Sequence, residues 1–188
     1  AISVVVIIID STVLNVSVNE IKADLGISSQ AFQWVITSYS LVLAALTITG
    51  GRLGDMFGRK NMFITGALLF GTGSLIASFS QSQLQLLLGW SLLEGIGAAL
   101  MMPASSALLV SNFEGKERGI AFGIYGAMAG VASSFGPIFG GYLASEFSWR
   151  FAFGINVIIA GILIIGSRII LDKKELYPEK TYLDVRGA

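Results

Sequence analysis

The stretch Gly50-Gly51-Arg52-Leu53-Gly54-Asp55-Met56-Phe57-Gly58-Arg59-Lys60 decides the fold, because it returns as Gly140-Gly141-Tyr142-Leu143-Ala144-Ser145-Glu146-Phe147-Ser148-Trp149-Arg150. The two share a Gly-Gly start, a leucine (Leu53, Leu143), a phenylalanine (Phe57, Phe147) and a basic end (Lys60, Arg150), and Phe63 and Phe153 continue the match. Each separates two long apolar segments. Working outward gives six such segments, roughly at 1–18, 32–50, 61–80, 84–110, 119–143 and 151–171. Each is near or above the ~20 residues that carry a helix across a hydrocarbon core. The first copy joins segments 2 and 3, and the second joins segments 5 and 6. A shift of three spans reverses direction across the bilayer, so the two copies face opposite sides. The expected fold is an all-α membrane protein: six transmembrane helices as two inverted three-helix repeats.

Composition agrees with a bilayer as solvent. Of 188 residues, 54% are hydrophobic and 13% charged, with mean hydropathy +0.76; a soluble domain carries about 25% charged residues. Glycine is abundant (23) and proline scarce (3), which suits close helix packing in lipid. The chain has no cysteine and no histidine, so thiolate sites and the commonest metal ligand and general base are absent. Zero net charge gives no footprint for a nucleic-acid partner. Gly95-Ile96-Gly97 lies inside a spanning segment, without the context of a nucleotide site. No enzyme, no cofactor and no metal are expected. The opening AISVVVIII has no basic region and no cleavage site, so it reads as a span entered part-way, with Ala1 not the native start.

Charge sets a direction. With the first segment starting in the cytoplasm, ten of the twelve basic residues fall on the inside and only Lys22 and Arg150 outside. The expectation is a multi-pass protein of the cell membrane with both termini cytoplasmic. Residues 1–171 form the transmembrane N-domain, and 172–188 a cytoplasmic polar linker leading toward a further span.

With these motifs in place, the chain resembles the major facilitator superfamily, specifically its fourteen-span drug:proton antiporters. Gly51 to Lys60 is similar to the loop motif G-x-L-[GA]-D-x-x-G-R-[KR]. Gly136-Pro137-Ile138-Phe139-Gly140-Gly141, preceded by Gly126 and Gly130, resembles the fifth-helix antiporter motif. Asp10-Ser11-Thr12-Val13-Leu14-Asn15-Val16 is similar to the first-helix motif. Ser148-Trp149-Arg150-Phe151, with Ile155-Asn156-Val157, resembles the entry to helix 6. The fourth helix departs from the pattern R-x-x-Q-G-x-G-A-A: Ser91 stands in place of the arginine and Glu94 in place of the glutamine. The resemblance implies a secondary transporter exporting hydrophobic, cationic compounds by proton antiport through alternating access. A metabolite transporter of the same superfamily, or a non-transporting membrane protein such as a scaffold, is the alternative. Six spans make one wall of a cavity, so the implied partners include a missing C-terminal half or a second copy, besides substrate, protons and the lipid bilayer.

Asp10 and Glu94 are the acids deep inside segments. A carboxylate there is costly unless protonated, paired or hydrated, so both are read as proton-coupling and substrate residues, with Asn15 beside them. Gly51, Arg52, Gly54, Asp55, Gly58, Arg59 and Lys60 are expected to form a gating loop. There Asp55 would accept backbone N–H bonds at a helix start. By the resemblance, this loop latches the two halves on the cytoplasmic side. Gly126, Gly130 and Ser134 recur every four residues, as do Gly136 and Gly140, and Pro137 and Gly141, giving a smooth stripe for close packing with a bend at Pro137. Ser17, Ser38, Tyr39 and Asn156 are weaker cavity candidates, and Trp34, Tyr125 and Phe135 weaker stacking surfaces. Trp149 reads as an interface anchor.

Overall fold

The computed structural model describes residues 2–171, and each apolar segment in that range is helical. The helices are α1 (Ile2–Val16), α2 (Val18–Leu25), α3 (Ser29–Phe57), α4 (Arg59–Ser78), α5 (Gln83–Asn112), α6 (Gly115–Glu146) and α7 (Trp149–Ile170). There is no strand among the described residues. Helices α3 to α7 are each long and apolar enough to cross a bilayer, which gives five spans. A sixth is obtained by taking α1 and α2 together, as a pair bent by 65°. The expected linker 172–188 lies outside the described residues.

Local chemistry sets the boundaries. The Ser28 hydroxyl accepts from the Ala31 N–H at 3.1 Å and starts α3; the Ser82 hydroxyl accepts from the Gln85 N–H at 3.3 Å and starts α5. Each satisfies a donor that the first helical turn leaves orphaned. The expected gating loop is not a loop. Helix α3 runs on to Phe57, Gly58 alone makes the turn at φ +92°, and α4 begins at Arg59. Only glycine takes that φ without strain. The expectation for Asp55 is corrected accordingly. It lies in the last turn of α3 and caps nothing; Gly58 precedes α4 with no side-chain cap. Its partner is Arg59, one helical turn away across Gly58, at 3.5 Å on an exposed surface. The expected bend at Pro137 does not interrupt α6, which continues unbroken to Glu146.

Packing repeats the sequence symmetry. Helix α4 lies against α7, α1 against α6, and α5 against both α3 and α4. Gly50 of α3 sits against the Ala99 carbonyl of α5. Its counterpart Gly140 of α6 sits against Val13 of α1, where an added Cβ would stand 2.8 Å from the Val13 Cα. The basic ends of the repeat are matched too. Lys60, at the start of α4, donates to the Leu171 carbonyl just past α7, and Arg150, at the start of α7, donates to the Ser80 carbonyl just past α4, at 2.7 Å. Each cation therefore satisfies a carbonyl at the C-terminal end of the other repeat's third helix. Such reciprocal contacts require α4 and α7 to run antiparallel, as an inverted pair must.

Trp149 is corrected from an interface anchor to a buried residue, 3% exposed. Its indole donates to Asp24 at 3.2 Å, and Arg150, paired with the same Asp24, lies over the Trp149 ring at 4.4 Å. The bend at Ser17 brings Asp24 of α2 onto the start of α7 and covers the indole.

Gly50→Ala and Gly140→Ala are each expected to destabilise the full-length protein by about 1–3 kcal/mol, the range for overpacking a tight contact. Gly161→Ala, at a helical site with nothing within 4 Å among the described residues, is expected to keep stability or raise it by up to about 1 kcal/mol. Thermal unfolding in detergent checks the contrast.

Candidate functional site

The site is built around residues 87–94. This part of α5 is π-helical, and Trp90, Ser91 and Glu94 all face the interior. Single π-helical turns are concentrated at functional sites. The wider turn is accommodated because α4 approaches closely: a Cβ at Gly73 would stand 2.6 Å from the Gly89 carbonyl oxygen. That approach lets Ser74 of α4 reach Glu94, donating to Oε1 at 2.6 Å. Ser91 donates to the Val35 carbonyl of α3 at 2.7 Å.

Asp10 enters from α1. Trp90 Nε1 donates to its Oδ2 at 2.7 Å, and Asn156 Nδ2 of α7 donates to its Oδ1 at 2.7 Å. The same Asn156 nitrogen lies 3.5 Å from Glu94 Oε1, so one amide bridges the two acids. The two carboxyls are therefore neighbours, linked through that amide. Asp10 is 3% exposed and Glu94 fully buried. Tyr39 of α3 stacks on Trp90 with ring centroids 4.3 Å apart and planes 10° from parallel. Among the described residues, the Tyr39 hydroxyl and Glu94 Oε2 have no hydrogen-bond partner. Among the described residues, the side chains that hydrogen-bond to the two carboxyls are Trp90, Asn156 and Ser74, none of them basic.

The structure thus brings together two of the three expected residues. Asn15 stands apart, exposed and donating to the Ser11 carbonyl at 2.8 Å. Asn156, read from the sequence as one weak polar candidate among several, holds the centre. Trp90 and Ser74 were missed. Trp90 lies four residues before Glu94, on the same helical face, and that spacing was the available signal. Trp34 and Phe135 are exposed, whereas Tyr125 contacts the Ser105 hydroxyl at 3.2 Å.

The remaining expected residues lie elsewhere. Arg59 donates to the Ala107 carbonyl of α5 at 3.2 Å, so the motif Gly51–Lys60 reaches the end of the fourth span as well as Asp55. The fifth-helix glycines divide into two sets. Gly136, Gly140 and Gly141 face α1, whereas Gly126 and Gly130 have nothing within 4 Å. Among the described residues, no cluster of acids is suited to hold a metal ion.

A cavity of about 170 Å³ opens between α1, α6 and α7, with Asp10 and Asn156 in a wall otherwise formed by residues such as Val6, Ile9, Phe139 and Ile155. A drug-sized ligand needs ~300–1,000 Å³, so this space alone does not enclose one.

Comparison with known proteins fits this architecture. A family profile described as the Major Facilitator Superfamily matches residues 1–182. A puromycin resistance protein of Streptomyces alboniger is 38% identical over 165 residues, 87% of this chain and 33% of that protein. A methyl viologen resistance protein of Salmonella typhimurium is 38% identical over 157 residues, covering 83% of the chain and 32% of its own length. A riboflavin transporter of Clostridioides difficile is 31% identical over 179 residues, 95% of the chain and 39% of that protein. The chain therefore spans about a third of the length of the curated relatives it matches. In fold it is similar to a peptide transporter crystallised with sulfate, with a TM-score of 0.73 and 16% identity over 89% of this chain and 37% of that one.

Trp90→Phe keeps a ring to stack on Tyr39 but removes a donor to Asp10. A hydrogen bond to a charged group contributes about 1.5–3 kcal/mol. A loss of stability in that range is expected in the full-length protein, read by thermal unfolding in detergent.

Proposed function

The chain belongs to the Major Facilitator Superfamily, and on that premise we propose that it forms the N-terminal six-span half of a multidrug efflux transporter that exchanges hydrophobic, cationic compounds for protons. Family membership places it among multi-pass membrane transport proteins, not enzymes. The observation that carries the finer reading is the pair Asp10 and Glu94: two buried carboxyls linked through the Asn156 amide, with no basic side chain hydrogen-bonded to either among the described residues. Two ionised acids so placed repel each other and lack solvent. A proton relieves the charge, and so does a lipophilic cation. The two compete for one site, which is the coupling that antiport requires. In this reading, alternation between two conformations exposes the pair to one side of the membrane and then the other. The relatives named for resistance to puromycin and to methyl viologen support export.

The remaining parts take roles consistent with this. The cell membrane holds the protein with both termini cytoplasmic, as the distribution of basic residues favours. The turn Gly51–Lys60 acts as the cytoplasmic latch. Its charges Asp55 and Arg59 and the bond from Arg59 to the end of α5 break and re-form between states. The open face of α6 around Gly126 and Gly130 receives the C-terminal half or a second copy, completing a cavity that this half cannot enclose. A metabolite carrier is the second reading, favoured by the 31% identity to a riboflavin transporter.

Drug-gradient-driven proton flux in proteoliposomes holding the full-length protein tests the proposal. Asp10→Asn and Glu94→Gln are each expected to reduce flux nearly to the level of protein-free vesicles. Normal coupled flux in both variants excludes the pair as the proton site, and drug efflux indifferent to a pH gradient excludes antiport. Asp55→Asn is expected to slow turnover several-fold while leaving substrate binding nearly unchanged. Equal loss of binding and turnover would count against a latch.

A further inference from the structure

The two acids are not equivalent, and the difference lies in their hydrogen bonds. Both Asp10 oxygens receive an N–H, one from the Trp90 indole and one from the Asn156 amide, each at 2.7 Å. Indole and carboxamide N–H groups only donate, so they favour an acceptor carrying negative charge. A proton on Asp10 would turn one of those acceptor oxygens into a hydroxyl and weaken a charge-assisted bond. Glu94 is engaged on one side only. Ser74 donates to Oε1, whereas Oε2 is buried and has no donor facing it. A proton on Oε2 breaks no existing bond, and it removes the charge from an acceptor that nothing satisfies among the described residues.

We propose that Glu94 Oε2 carries the exchangeable proton, while Asp10 remains the ionised acceptor held by Trp90 and Asn156. This rests on the reading of the two acids as the proton-handling pair, and it divides their labour. Tyr39 of α3 is a neighbouring ionisable group; its ring is fixed against Trp90 and its hydroxyl has no hydrogen-bond partner among the described residues. The further neighbours, Ser74 on α4 and Asn156 on α7, are neutral. Loss of the Glu94 proton therefore leaves two neighbouring negative charges on α1 and α5, with no cation hydrogen-bonded to either among the described residues. Their repulsion acts directly between the first and fourth spans. Proton release is thereby tied to a relative movement of these helices, and the vacated negative pair attracts the cationic substrate.

Infrared spectroscopy of the purified full-length protein tests the assignment without requiring transport. A protonated carboxylic acid in a dry site gives a carbonyl-stretch band separate from carboxylate. The expected result is that this band is lost in Glu94→Gln and shifts in frequency in Glu94→Asp, which keeps an acid at the position if the glutamine variant folds poorly. A band unchanged by both substitutions overturns the assignment, and its disappearance in Asp10→Asn alone would transfer the proton to Asp10. The two proposals fail separately. An acid band independent of Glu94 beside intact proton-driven efflux removes this inference and leaves antiport. A Glu94 band beside efflux that ignores pH does the reverse.

Discussion

A carboxyl group inside a bilayer has to find hydrogen bonds, a counter-charge or a proton within the protein, and this requirement organises the helices around Asp10 and Glu94. The resulting network draws one residue or more from five helices: Asp10 from α1, Tyr39 from α3, Ser74 from α4, Trp90 and Glu94 from α5, and Asn156 from α7. Each partner arrives through a specific local feature. The π-helical segment turns Trp90, Ser91 and Glu94 inward together. The close approach at Gly73 and Gly89 lets a side chain as short as serine reach Glu94. Removing either feature would leave an acid exposed to hydrocarbon without its donor.

The inverted repeat supplies the frame in which that network sits. Lys60 and Arg150 occupy matched places, and each satisfies a carbonyl beyond the last turn of the other repeat's third helix. These contacts fasten α4 and α7 at both ends, one on each side of the membrane. The matched glycines Gly50 and Gly140 do the equivalent for α3 on α5 and α6 on α1. In lipid there is little hydrophobic drive to press helices together, so small residues and satisfied polar groups carry the association. The end that carries Arg150 is reinforced further, because Asp24 holds both Trp149 and Arg150.

Much of this was legible in the sequence, and the misreadings have physical causes. Segment length and the Gly50 and Gly140 repeat were enough for the helices and their inversion, since the bilayer admits few alternatives. Asp10 and Glu94 stood out because charge at that depth is rare. The boundaries were less secure. Polar residues 51–57 looked like a loop, yet helix α3 simply emerges from the apolar region and continues to Phe57. Asp55 was misread as a cap for the same reason. Trp149 was taken for an interface anchor because nothing local foretells that α2 turns back over it. Asn15, near Asp10 in the chain, bonds the Ser11 carbonyl instead, whereas Asn156 reaches Asp10 across the bundle. Long-range pairing of this kind leaves no periodic mark.

Ser91 and Glu94 are best understood together. Measured against the fourth-helix pattern that the chain resembles, serine for arginine removes one positive charge and glutamate for glutamine adds one negative charge. Both changes push the interior in the same direction. Ser91 is buried and spends its hydroxyl on the Val35 carbonyl, so it sits close against α3 and offers the acids nothing. An arginine would have answered the charge of an acid permanently. Without it, the compensating charge has to come from something mobile, and the two mobile positive charges that an antiport cycle offers are the proton and a cationic substrate. On this reasoning the departure from the pattern does not weaken the case for coupling. In the proposed cycle it moves the coupling from a fixed arginine to a pair of acids whose neutraliser is exchanged.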